Sequence, residues 1–243
     1  MVWLVSLRGD RSDLEALTKS LNDPQITVSQ EGDEFFLTSA LLDAQSNAEA
    51  VHKEAQNLML VLNGATRLEL HSRQMITIGA LHRSRADGKR DTYILAEPAT
   101  VAWCIIAPTI QLTYPDGTIE KYHPADPVRD WMRVALTDSA VTKVLTIIGS
   151  EPSDWINLYR IFEIVEKDCG GLSSIEAARW ATKTAIGLFK HTANSPGAIG
   201  LAARHGAVHK APPSKPMTIS EARSLINSIA HAWLQSKARR ASH

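Results

Sequence analysis

The residues best equipped for chemistry lie close to the C-terminus, where Ala202 to Lys210 reads Ala-Ala-Arg-His-Gly-Ala-Val-His-Lys. Arg204, His205, His209 and Lys210 are concentrated there, on a locally basic background. A guanidinium grips phosphate through paired N–H donors and stabilises charge that grows on it, while an imidazole moves protons near neutral pH. Together these groups suit a phosphodiester, and attack by an RNA 2′-hydroxyl would require no metal. On a continuous α-helix Arg204 and His209 would point about 140° apart. Gly206 and the prolines from 212 onward end the helix between them, so that His209 can fold back towards the guanidinium. His205 and His209 have the spacing of a helical metal pair, but no HExxH glutamate and no third ligand accompany them, so neither a metal nor a cofactor is expected. Lys183, Lys190 and His191, with Lys210, extend a surface able to bind nucleic acid.

The elements that must position these groups are helical. Asp126-Pro127 pairs a capping residue with a first-turn proline and opens a helix carrying Trp131, Val134 and Ala135 inward. Val141, Val144, Leu145 and Ile148 mark a second helix that stops at Gly149. Pro152-Ser153-Asp154 starts a third, with Trp155, Leu158, Tyr159, Phe162 and Val165 on one stripe. On its surface Tyr159, Arg160 and Glu163 sit about one turn apart, where they line a cleft or form a local Arg160–Glu163 bridge. Ser173 with Glu176 reads as a capping box at the head of a helix running to about Lys190, which Asn194-Ser195-Pro196-Gly197 breaks. A shorter helix leads to Arg204. Thr218 with Glu221 repeats the capping box before a last helix with Ala222, Leu225, Ile226, Ile229, Ala230 and Trp233 on its stripe. The helical tryptophans fit core or dimer packing better than a stacking platform.

The first half has a different pattern. Residues 2–7 form a strand, and Asp10 caps a helix bearing Leu14, Leu17 and Leu21. Two short strands, Ile26–Val28 and Phe35–Leu37, flank Glu31-Gly32-Asp33. A long amphipathic helix covers about 43–62, with Gly64 at its C-terminal cap. From about 66 to 122 the period shifts towards two, beginning with Leu68 and Leu70, and Pro115-Asp116-Gly117 joins residues 110–114 and 118–122 as a hairpin. The fold class is therefore α+β: an antiparallel sheet with helices over residues 1–124, then an all-helical bundle over 125–243.

Charge follows the same division. Net charge is zero over 243 residues, yet residues 1–154 carry 14 Lys+Arg against 21 Asp+Glu, and residues 155–243 carry 12 against 5. A basic helical half beside an acidic one suits a polyanion partner, or attraction between the halves. Cys104 and Cys169 form no CxxC pair, in keeping with a reducing cytoplasm. There is no run of eighteen apolar residues, so no membrane partner is expected.

The segment Arg204-His205-Gly206-Ala207-Val208-His209 resembles the Arg-polar-x3-His motif of HEPN-domain ribonucleases, small helical bundles common in bacterial toxin and phage-defence systems. Arg204 matches the arginine, His205 the polar residue, Val208 the apolar residue before the histidine, and His209 the histidine. Ser220-Glu221-Ala222, opening the last helix, matches the family's context after the motif. The resemblance implies a homodimer that cuts RNA without metal, with Arg and His from both chains meeting at one site. His209 would act as general base or acid, Arg204 would hold the scissile phosphate, and His205 would orient or assist. Residues 1–124 would sense a signal, restrain the effector or bind a protein partner. Two alternatives stand beside this reading: a noncatalytic helical adaptor, and a regulator that binds polyanions without turnover.

Overall fold

The computed structural model describes residues 2–72, 74–85, 89–94, 110–113, 119–122, 126–150, 153–204 and 211–241. It opens with β1 (Trp3–Arg8), whose alternating Trp3, Val5 and Leu7 face the core. Helix α1 (Arg11–Ser20) follows, and its Asp10 cap accepts hydrogen bonds from the amides of Ser12 and Asp13, leaving Leu14 and Leu17 buried. Next come β2 (Asn22–Asp23), β3 (Ile26–Glu31), β4 (Glu34–Ser39), α2 (Ala40–Asp43), α3 (Ala48–Glu69), β5 (Thr77–Ser84) and β6 (Arg90–Tyr93). The strands form one antiparallel sheet in the order β2-β3-β4-β1-β5-β6, with β1 at its centre, pairing Val5 to Leu37 on one side and to Leu81 on the other. Separately, β7 (Ile110–Thr113) pairs antiparallel with β8 (Ile119–Tyr122), Ile110 opposite Tyr122, which is the hairpin expected there. The turn expected at 115–117 lies outside the described residues.

The second half is mostly helical, its described elements being α4 (Asp126–Ala135), α5 (Ser139–Ser150), α6 (Trp155–Asp168), α7 (Leu172–Ala177), α8 (Lys183–Ala193), α9 (Pro196–Ile199), a 3-10 turn at Gly200–Ala202, and α10 (Ile219–Ala241). The architecture is therefore α+β. None of the described helices is long and apolar enough to cross a membrane.

Helix α3 joins the two halves. It packs on β5 from one side and on α4, α5 and α10 from the other. Buried apolar residues before and after position 124 form one continuous cluster, from Trp3 and Leu37 through Leu62 and Leu145 to Trp233. Two features attach α3 to its neighbours. The buried Asn63 amide donates to the Ile76 carbonyl at 2.9 Å and accepts from the Ile76 amide at 2.7 Å. A Cβ on Gly64 would lie 1.9 Å from the Leu145 carbonyl oxygen, and one on Gly149 would lie 2.1 Å from that of Leu60.

These contacts correct two boundaries. Helix α3 begins after its Asn47 cap and runs past Gly64 to Glu69, so Leu68 belongs to its last turns rather than to a strand. Helix α5 ends at Ser150, one residue past the expected stop at Gly149. Both glycines let two helix backbones approach closely.

A third correction concerns the helix expected from Ser173 to Lys190, which is two helices. Helix α7 ends in a Schellman turn, where the Trp180 amide reaches the Ile175 carbonyl and the Arg179 amide that of Glu176. The left-handed position is held by Arg179, at φ 58°. Trp180 therefore lies in the link between helices, whereas Trp131, Trp155 and Trp233 are buried helical residues. Thr182 then caps α8. The capping box at Thr218 and Glu221 is present, each side chain bonding the other's amide.

Candidate functional site

The site is built where α6 and α8 meet. Asp154 caps α6 by accepting from the Asn157 amide at 2.8 Å, which sets the phase of its buried stripe. Phe189 of α8 packs against that stripe, stacked on Trp155 and Tyr159 with centroids 6.1 and 5.7 Å away, and edge-on to Phe162. The aromatic block fixes one helix against the other and leaves the Tyr159 hydroxyl at the C-terminal end of α8. There Asn194 donates through Nδ2 to the Tyr159 hydroxyl at 3.2 Å and to the Lys190 carbonyl at 2.8 Å.

After α9 and the 3-10 turn the chain returns to this end, and the Arg204 amide donates to the Ala193 carbonyl at 2.9 Å. That backbone bond delivers the Arg204 side chain. Its guanidinium lies 4.4 Å from the centroid of the Tyr159 ring, and Nη2 is 2.8 Å from Glu163 Oε1. The ring contact and the ion pair together hold the guanidinium at the surface. With the two side chains 36% and 43% exposed, solvent screens the pair, which is worth no more than about 1 kcal/mol. Arg160 takes no part in it, since its Nη1 donates to Asn157 Oδ1 at 3.3 Å. The Arg160–Glu163 bridge considered from spacing is thus replaced, for Glu163, by a partner forty-one positions away in the chain.

Of the residues singled out in the sequence, Arg204, Lys183, Lys190 and His191 are placed, while His205, His209 and Lys210 lie outside the described residues. Lys190 is already engaged, with Nζ 3.4 Å from Glu166 Oε1 and over the Phe162 ring. The His191 Nε2 lies 2.9 Å from the Ala211 carbonyl and so ties α8 to the segment that follows residue 210. Lys183 is exposed in the first turn of α8. The seam thus pairs two cations, Arg204 and Lys190, with two carboxylates one turn apart on α6, Glu163 and Glu166.

The sequence reading overlooks Glu166 and takes Ser195 only as a helix breaker, while Asn194 stands there both in the breaker cluster and as a possible extension of the polyanion-binding face. The i, i+3 spacing of Glu163 and Glu166 beside an aromatic stripe was the available signal. Comparison with protein-family models, with curated proteins and with solved structures finds no match to this chain.

Proposed function

We propose that the chain is a metal-independent endoribonuclease of HEPN-like type, working as a homodimer in a bacterial toxin or phage-defence setting. One observation supports this reading above the rest: the Arg204 guanidinium lies at the surface, over the Tyr159 ring and paired with Glu163, one residue before the His205–His209 segment. A guanidinium tethered by an exposed pair gives up little when it turns to a phosphate. In the proposed reaction His209 takes the proton of a ribose 2′-hydroxyl and the 2′-oxygen attacks the adjacent phosphorus. The bond to the 5′-oxygen breaks, and that oxygen leaves with a proton given by the protonated His209 of the second protomer. Arg204 neutralises the charge gathering on the phosphoryl oxygens. The products carry a 2′,3′-cyclic phosphate and a 5′-hydroxyl.

The test incubates mixed RNA in EDTA with wild-type protein and with the Arg204→Ala/His209→Ala variant, reading fragment ends as well as fragment sizes. Fragments with cyclic phosphate ends from the wild type alone support the reading. Identical RNA patterns count against it. A firm monomer by light scattering would remove the shared-site form of the mechanism.

A second reading is favoured by the same ion pair. Glu163 offsets the charge that Arg204 would offer an anion, as Glu166 does for Lys190, and this is how a noncatalytic helical adaptor would use those residues. On that reading, neither RNA binding nor RNA cleavage depends on Arg204.

A further inference from the structure

At the C-terminal end of α8, two buried polar atoms have no hydrogen-bond partner among the described residues: Asn194 Oδ1 and Ser195 Oγ. The amide orientation of Asn194 is settled by its neighbours, because the atom facing the Lys190 carbonyl must be the donor Nδ2, which leaves Oδ1 as the orphan. Ser195 is 4% exposed and occupies the cap position of α9, yet its hydroxyl caps nothing. Burying such groups unpaired costs stability, and buried polar atoms in proteins nearly always find partners. The Tyr159 hydroxyl stands beside them, accepting from Asn194 and keeping its own O–H to donate. The local inventory is one acceptor that cannot donate, one hydroxyl that can do both, and one donor.

That set complements a ribose hydroxyl, which donates to an amide oxygen while accepting from an O–H group. Beside it Arg204 is bonded through its backbone to the neighbouring Ala193, and its guanidinium is held over the Tyr159 ring and by the exposed Glu163 carboxylate. A phosphate that outcompetes Glu163 would draw the guanidinium off that ring. We infer that Asn194 and Ser195, with the Tyr159 hydroxyl, receive the 2′-hydroxyl of an RNA ribose once Arg204 has moved to the adjoining phosphate. They are positioning and specificity residues, and the inference rests on the RNA-cleaving reading above.

The experiment measures binding of three labelled single strands of one sequence, in RNA, DNA and 2′-fluoro-RNA form, with turnover stopped by His209→Ala. The full chain in that background binds RNA about tenfold tighter than the other two, the worth of one hydrogen bond. Adding Ser195→Ala brings the RNA affinity down towards the DNA value while leaving the melting temperature unchanged or raised. A merely structural serine could not produce that combination. Asn194→Ala loses the same preference, at some cost in melting temperature because Tyr159 and the Lys190 carbonyl lose a donor. If RNA is preferred and both variants keep that preference, the inference fails while the nuclease reading stands. If the His209→Ala protein binds none of the three strands and the wild type leaves RNA intact, both fail.

Discussion

Gly149 of α5 lies so close to Gly64 of α3 that a Cβ added to it would sit 2.9 Å from the Gly64 backbone nitrogen. The two helices meet backbone to backbone, and any side chain at either position would have to displace a carbonyl. Gly64→Ala and Gly149→Ala should each destabilise the protein by about 3 kcal/mol or more, measured by denaturant unfolding. This is opposite to the small gain that alanine brings at an unhindered helical glycine. Gly187 of α8, which has nothing within 4 Å of its added Cβ, is the internal control, and Gly187→Ala should stabilise by about 1 kcal/mol.

Glu163 offers a test of whether Arg204 faces an anion. Glu163→Gln removes the charge that competes for the guanidinium, so RNA binding at low salt should tighten several-fold. Stability should change by less than about 1 kcal/mol, as expected for an exposed pair. Fluorescence anisotropy across a salt series checks this. An RNA affinity indifferent to the substitution favours the adaptor reading.

Lys237 ties three helices together. Its Nζ lies 2.7 Å from Asp138 Oδ2 and 2.8 Å from Asp168 Oδ1, and the Trp233 indole donates to Asp168 at 2.8 Å. Partial burial disfavours charge on Asp138, but Lys237 and the amides that begin α5 outweigh it and hold the carboxyl below its ordinary 3.8. Burial works against Lys237 too, and its two carboxylates still hold it above its ordinary 10.5. The Asp138 contribution is present above the unfolded value and fades as pH falls through the folded one. That of Lys237 is present below the unfolded value and fades as pH rises through the folded one. Lys237→Met should cost about 2 kcal/mol at neutral pH. In melting curves the deficit should shrink below pH 3.8 and above pH 10.5.

The Asn63 amide is the polar counterpart of the glycine contact. Replacing it with alanine leaves the buried amide and carbonyl of Ile76 unpaired, an expected loss of about 3 kcal/mol. Asn63→Asp keeps the acceptor and should still lose a large part of that, because it faces the Ile76 carbonyl with an oxygen. Denaturant midpoints for the two variants distinguish the amide bridge from simple volume loss.

Local signals made most of this fold legible. The α6 stripe, the capping box before α10 and the alternation of β1 depend on neighbours a few residues away, and each stands where its pattern pointed. Gly64 misled because a glycine needed for close approach reads as a cap until its facing helix is known. The link between α7 and α8 stayed hidden because Arg179 holds a left-handed position with no glycine to announce it. At the site, the i, i+4 pair Tyr159 and Glu163 was visible, but their joint hold on Arg204 is a tertiary contact. The orphan atoms of Asn194 and Ser195 could not be seen in sequence at all, since polar residues in a breaker cluster are ordinarily solvated.

The place of α3 sets how this molecule could be taken apart. One flank of that helix lies under the sheet strand β5 and the other against α4, α5 and α10, so a cut after residue 124 would leave the later helices with a bare apolar trench along α5. Expressed alone, residues 125–243 should aggregate or melt early, whereas a fragment starting at Asn47 would keep the missing wall.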